Sequence, residues 1–234
     1  MKNILSIILV FVASMTFAQK GEKLIEQYID AIGGKEKLSS IKSILKKGNI
    51  SQMGQELEFE TYQNIKGDGY MKMNMMGMQM NVYGIKDGKG YTMNMQSMGY
   101  DEMDEETAKK FSESSKELYG DVTTALMKHK EIKYLGQEEM NGKKYEVIEI
   151  KDENSTAKVY FDPKTHLVKY MMVESEQGPI TLEIAEYVET KGVKFPKVII
   201  TKLGDQEISK ATLTEVIVNP DPSKIDQSAF TIPE

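Results

Sequence analysis

Two short stretches decide how the chain folds: Tyr70-Met71-Lys72-Met73-Asn74-Met75 and Met78-Gln79-Met80-Asn81-Val82-Tyr83, with Gly77 between them. Both alternate at a period of two. That is the signature of a strand with one dry face, not of a helix. Gly77 supplies the tight turn that would pair them as a hairpin. Outward from this hairpin the same period persists. Leu57 and Phe59 alternate with Glu56, Glu58 and Glu60, and Met93 and Met95 alternate with Thr92 and Asn94. Strands are therefore expected near 43–53, 69–76, 78–85 and 89–96, punctuated by Lys66-Gly67-Asp68-Gly69 and Asp87-Gly88-Lys89-Gly90.

Towards the C-terminus, Tyr145–Ile150, Ala157–Phe161, Leu167–Val173, Ile180–Val188, Val193–Leu203 and Ile208–Val218 are rich in β-branched and aromatic residues. Asn141-Gly142 and Asp162-Pro163-Lys164 have hairpin-turn chemistry. Two regions break the pattern. Leu24, Ile25, Tyr28, Ile29 and Ile32 recur at a helical period, and Gly33-Gly34 ends that run. In the insertion at about 101–130, Asp101 or Asp104 can cap a helix to about Leu118, and Asp121 a second one through Leu126 to Lys130. The fold class is mainly β with helices (α+β). About ten or eleven antiparallel strands in one meander must curl. The expected architecture is a curved or half-closed barrel whose mouth is plugged by the N-terminal helix and the helical insertion, a shape that commonly encloses a cavity for an apolar ligand.

Composition narrows the function. Of 234 residues, 30 are Lys and none Arg, against 36 Asp plus Glu; there is no Cys and no Trp. The absence of Cys excludes disulfide scaffolds, thiol catalysis and lipobox attachment. An acidic chain without Arg is a poor partner for nucleic acid. At the N-terminus, Lys2, the apolar run Ile4 to Val12 and the ending Thr16-Phe17-Ala18 read as a secretory signal peptide cleaved after Ala18. The run is too short to span a bilayer as a helix. The remainder, 19–234, is expected to be one domain, free in the periplasm.

The 17 Met are concentrated where the strands alternate. If the strands are neighbours, Met71, Met73, Met75, Met78, Met80, Val82, Met93 and Met95 share one face, with Leu57 and Phe59 beside them. That face has three readings. It is ordinary core, since Met fills irregular gaps. It is the wall of a pocket for variable apolar shapes such as acyl chains. Or its thioethers hold Cu(I). Catalysis has no local support. Gln96-Ser97-Met98-Gly99 has Met95 where a nucleophile elbow needs Gly, and no phosphate-binding Gly loop or His-Glu-x-x-His occurs. His129 and His166 read as boundary residues, and the acids from Asp101 to Glu106 as a solvated helix start. No catalytic residue, metal ligand or cofactor is assigned.

Several further stretches occur in a familiar order: Ala31-Ile32-Gly33-Gly34-Lys35-Glu36-Lys37-Leu38 with Ile41-Lys42-Ser43 and Gly48; Tyr134-Leu135-Gly136 with Asn141-Gly142-Lys143-Lys144-Tyr145; Val159-Tyr160-Phe161-Asp162-Pro163-Lys164-Thr165-His166-Leu167; Gly192-Val193-Lys194-Phe195-Pro196; and Val218-Asn219-Pro220 ending in Phe230-Thr231-Ile232-Pro233. Together they resemble the LolA-like (LolA/LolB-like) family of exported β-proteins, the outer-membrane lipoprotein-sorting proteins. The resemblance implies an unclosed antiparallel barrel wrapped around lid helices over an apolar cavity. Carriers of that family hold lipoprotein acyl chains and use an arginine that bonds to the lid; this chain has no Arg to play that part.

The expected function is a non-enzymatic periplasmic carrier of a lipid, a lipoprotein acyl chain or another hydrophobic ligand. Envelope lipoproteins or inner- and outer-membrane transport proteins would be its protein partners. The ligand would lie on the Met face under a lid anchored by Phe111, Leu118 and Leu126. The alternatives are a Met-rich Cu(I)-binding envelope protein and an envelope assembly module without a small ligand.

Overall fold

The structure is a computed structural model that describes residues 19–52, 54–75, 77–119, 131–151 and 156–233. The signal-peptide segment, Met53, Met76, Leu126 and His129 lie outside the described residues, as does the expected helix from Asp121 to Lys130.

Helix α1 covers 19–31 and α2 Lys35–Ser40. Six strands follow: β1 Ser43–Gln52, β2 Gln55–Asn64, β3 Gly69–Met75, β4 Met78–Lys86, β5 Lys89–Asn94 and β6 Gly99–Glu102. Helix α3 spans Glu105–Ser115. Seven more strands complete the chain: β7 Glu131–Met140, β8 Lys143–Lys151, β9 Thr156–Phe161, β10 Val168–Ser175, β11 Gly178–Thr190, β12 Val193–Leu203 and β13 Gln206–Val218. Two short 3-10 turns, Pro222–Lys224 and Gln227–Phe230, precede the C-terminus.

All thirteen strands form one sheet in the order β6-β5-β4-β3-β2-β1-β13-β12-β11-β10-β9-β8-β7. Every described pairing is antiparallel. Two meanders are thus zipped together by β1 and β13, and β6 and β7 are left as the edges of an unclosed sheet. The chain between those edges carries helix α3. Two strands exceed the sequence expectation, β6 and β7, and both are edges. Edge strands carry charges that discourage pairing with other chains. Tyr100-Asp101-Glu102 and the Glu- and Lys-bearing β7 therefore show no clean apolar alternation.

The two faces of the sheet are covered by different parts of the chain. On the inner face lie α1 and α2: Leu24, Ile25, Tyr28, Ile29, Ile32 and Leu38 are buried in one core with Ile44, Ile148, Val159, Phe161, Val193, Phe195 and Val218. On the outer face, Leu45, Tyr62 and Tyr70 pack against Ala229, with Ile225 and Phe230 at the margin. The C-terminal segment is therefore the outer cover of β1–β5. Tyr91 seals it by donating its hydroxyl hydrogen to the Ala229 carbonyl at 2.8 Å. Among the described residues, no helix is long and apolar enough to cross a membrane.

Candidate functional site

Register fixes which side chains share the inner face. Ile44 faces the helices, so Lys46 and Gly48 follow on the same side. Lys46 pairs with Val216 on β13 and with Thr61 on β2; Thr61 pairs with Met71, and Met71 with Tyr83. One step along the strands, Leu213, Gly48, Phe59, Met73 and Met80 form the next row. A third row runs through Leu57, Ile50, Ala211, Ile199 and Ile184. Apart from Gly48, these second- and third-row residues are apolar and only half-buried. They form a half-buried apolar floor on the inner face, continuous with the main core at Ile184. Gly48 matters here because a Cβ at this position would lie 2.8 Å from the Phe59 ring. The bare backbone lets that ring lie across β1.

The expected Met face splits. In β4 the register shifts by one between Met71 and Lys72: Lys72 pairs with Asn81 but Met71 with Tyr83, leaving Val82 as the extra residue. A bulge of one residue inverts the alternation beyond it. Tyr83 consequently joins Met80 on the inner face, where its ring meets Phe111 of α3 at a centroid distance of 5.0 Å. On β5 the same inversion puts Thr92 inside, opposite Tyr83, and Met93 outside with Tyr91. Met93 pairs with Tyr100, whose ring contacts that of Tyr91. Met93 therefore does not share a face with Met73 and Met80. Met95 lies in the turn after β5 and is 65% exposed, and Met78 at the hairpin tip is 61% exposed. Met75 pairs with Met78 across the hairpin. Of the residues expected to form one surface, Leu57, Phe59, Met71, Met73 and Met80 are brought together; Met93 and Met95 are not.

The insertion is better anchored than its serine-rich sequence suggests. Asp104 caps α3 by accepting the Thr107 N–H at 2.7 Å. Ala108, Ser115 and Leu118 are almost fully buried, and Leu118 belongs to the main core. A Cβ on Gly67 would sit 2.0 Å from the Ser112 hydroxyl, so only glycine lets the β2–β3 turn approach the helix this closely. Tyr119 then donates to the Leu38 carbonyl, tying the end of the insertion to α2. Phe111 and Leu118 thus both anchor α3.

Sequence reasoning passed over one inner-face residue. Lys46 makes no hydrogen bond or ion pair with any other described residue. Burial alone pulls its ammonium down from the ordinary value of 10.5 to about 8. The signal lay in Ile44-x-Lys46-x-Gly48-x-Ile50, where strand parity places a charge among inward positions. The outer face behaves differently. Lys72 bonds Glu60 at 2.9 Å and Asp226 at 3.0 Å, and Tyr70 donates to the same Glu60 oxygen at 2.9 Å. A groove of about 530 Å³ beside this cluster is lined by Lys47, Glu58, Glu60, Lys72, Asn74 and Gln79 among others. Its wall is mostly polar, with Phe59 and Met73 as its apolar members. His166, in the turn between β9 and β10, is far from both features in the sheet order and is not part of the site.

An unclosed antiparallel sheet, helices on its inner face and an insertion joining its two open edges together define the class: a half-barrel built around an apolar interior. Solved structures of the same shape place it more closely, as a LolA-like fold. A DUF1329 family protein from Desulfovibrio piger superimposes with a TM-score of 0.58 at 11% identity, covering 92% of this chain and 97% of that one. A LolA superfamily protein from Nitrosomonas europaea gives 0.53 at 11% identity, over 87% and 96%. A domain described as an outer membrane lipoprotein-sorting protein, from Vibrio parahaemolyticus, gives 0.51 at 10% identity, over 91% and 97%. A scan of the sequence against protein-family models finds no match, and neither does a search among curated proteins.

Proposed function

We propose that the chain is a non-enzymatic carrier for a hydrophobic ligand, a lipid or a lipoprotein acyl chain, held along the inner-face trough. The observation that carries this reading is the half-exposure of a continuous apolar floor: Leu213, Phe59, Met73 and Met80 in one row, Ile50, Leu57, Ala211 and Ile199 in the next. Burying apolar surface contributes about 25 cal/mol per Å², and an acyl chain adds about 0.8 kcal/mol per CH₂ removed from water. Unbranched thioether side chains can re-pack around guests of different length. Export by a signal peptide cleaved after Ala18 fits a protein that meets lipid outside the cytoplasm. One structure of similar fold is described as an outer membrane lipoprotein-sorting protein, which brings acyl chains, and envelope lipoproteins as their bearers, within this proposal. Phe111 and Leu118 would act as the hinge-side anchors of the cover.

The Cu(I) reading keeps part of its donor set: Met71, Met73 and Met80 share one face, while the bulge at Val82 separates Met93 from them.

Native mass spectrometry of freshly isolated protein should show a bound lipid mass that disappears in the double variant Met73→Asp, Met80→Asp while circular dichroism stays unchanged. Wild-type protein free of lipid, or a folded double variant that keeps its full complement, would reject the carrier role.

A further inference from the structure

We infer that the guest is an amphiphile with a single anionic head, a carboxylate or a phosphate, and that Lys46 is the group that pairs with it. The inference rests on the carrier reading and adds to it the chemistry of the ligand's polar end. Lys46 stands in the row next to Phe59, Met73 and Met80, about 7 Å along β1 from the level of Gly48. Its neighbours across the sheet are Val216 and Thr61, with Met71 beyond. No acid occupies the inner positions of these two rows: they read Val216, Lys46, Thr61, Met71, Tyr83 and Leu213, Gly48, Phe59, Met73, Met80.

Lys46 is half-buried, and a charge drawn out of water without a partner is costly; natural proteins pair theirs. This protein does so fully a few residues away, where Lys72 holds two carboxylates on the outer face. Lys47, next to Lys46 but on the outer side, also reaches two acids, Glu60 at 3.3 Å and Glu215 at 3.8 Å. Lys46 alone of the three has no acid within the described fold. Its position suits a counter-ion for something that arrives. A tail lying over Phe59, Met73 and Met80 would bring a head group to Lys46, on the side where α3 closes over Tyr83. A charge-assisted bond made there, away from bulk water, would be short and strong.

The test compares dodecanoate, dodecyl phosphate and dodecanol as competitors that displace the neutral dye Nile red. On wild-type protein, one or both anions should displace the dye at concentrations at least about ten-fold lower than the alcohol. Whichever anion does so identifies the head group. Lys46→Met should remove the preference while still binding dodecanol, Lys46→Arg should keep it, and Lys47→Met on the opposite face should leave it intact. Equal displacement by alcohol and anions on wild-type protein would overturn the inference and leave the carrier reading standing. A preference that survives in Lys46→Met would do the same. If none of the three competes and the dye itself does not bind, the carrier reading falls and the inference with it. Should Lys46→Met fail to fold, Lys46→Gln takes its place, and a wild type without a head-group preference overturns the inference by itself.

Discussion

The two faces of β1–β3 treat charge in opposite ways. Outside, Lys72 is 7% exposed and is held by Glu60 and Asp226, while Tyr70 adds a third bond to the same network. Burial pushes the Glu60 carboxyl up, but the bonds from Lys72 and Tyr70 outweigh it and hold it below its ordinary value. Asp226 is held low by Ser228 and then by Lys72. Inside, Lys46 has burial and nothing to offset it. A sheet can make its outer face a permanent seam, because the C-terminal segment brings Asp226 to Lys72 in the same chain. The inner face cannot be finished in that way if its occupant comes and goes. The contrast separates a charge that the fold pairs from one that it leaves unpaired.

The largest effect should come from the seam. Lys72→Met leaves Glu60 and Asp226 without their shared cation, and breaking a buried ion pair on one side costs about 3 kcal/mol. The thermal midpoint should fall by roughly 6–12 °C for a domain of this size. The pH dependence carries a definite sign. Glu60 and Asp226 have lowered folded values, so their contribution is present above the ordinary carboxylate range and lost as pH falls through the folded values. Lys72 has a raised value, so its share persists below 10.5 and is lost as pH rises through the folded value. The gap between wild type and variant should form a plateau at neutral pH and shrink in acid. A variant as stable as wild type at pH 7 would mean that the seam does not hold the C-terminal cover.

Lys46→Met should act in the other direction. The folded value of Lys46, about 8, lies below the ordinary 10.5, so the unfolded chain binds the proton more tightly. Between those values the wild type gains stability as pH rises; below about 8 it bears the full penalty. The variant should therefore melt slightly higher than wild type at pH 7, with the advantage gone above about pH 10.5. Saturating dodecanoate should close the same gap at pH 7 by pairing the charge. A variant that melts lower than wild type at pH 7 would show that Lys46 already has a stabilising role in the empty protein.

Much of this was legible from residue order, and the failures have a common cause. Helix α1 could be read because Leu24, Ile25, Tyr28, Ile29 and Ile32 make one stripe, and all five are buried as a stripe requires. The strands from β1 to β5 could be read because each alternates within itself. What a strand cannot announce is its parity relative to a neighbour beyond a bulge. The extra residue at Val82 is settled by how β4 lies on β3, and it sent Met93 to the face opposite the one expected. Lys46 was hidden for a related reason: Lys46-Lys47 looks like a solvated pair until register shows that the two point to opposite faces. The outer cover was invisible because 3-10 turns of three and four residues are too short to show a period.

The smallest effect tests how differently the two covers are attached. The outer cover is fixed by an ion pair and by Tyr91, whereas α3 over the inner face depends on its cap and on Ala108, Phe111, Ser115 and Leu118. Asp104→Ala removes the acceptor for the Thr107 N–H and the negative charge at the helix start. The midpoint should drop slightly. The more telling readout is local. Amide exchange should quicken at Thr107 and Ala108 and stay unchanged across 222–230. If α3 covers the trough, Nile red should also leave the variant faster than wild type. Faster exchange in α3 with unaltered dye release would mean that the helix closes over Tyr83 without guarding the path by which a guest departs. The exit would then lie at the open end of the trough, beside Ile50 and Leu57.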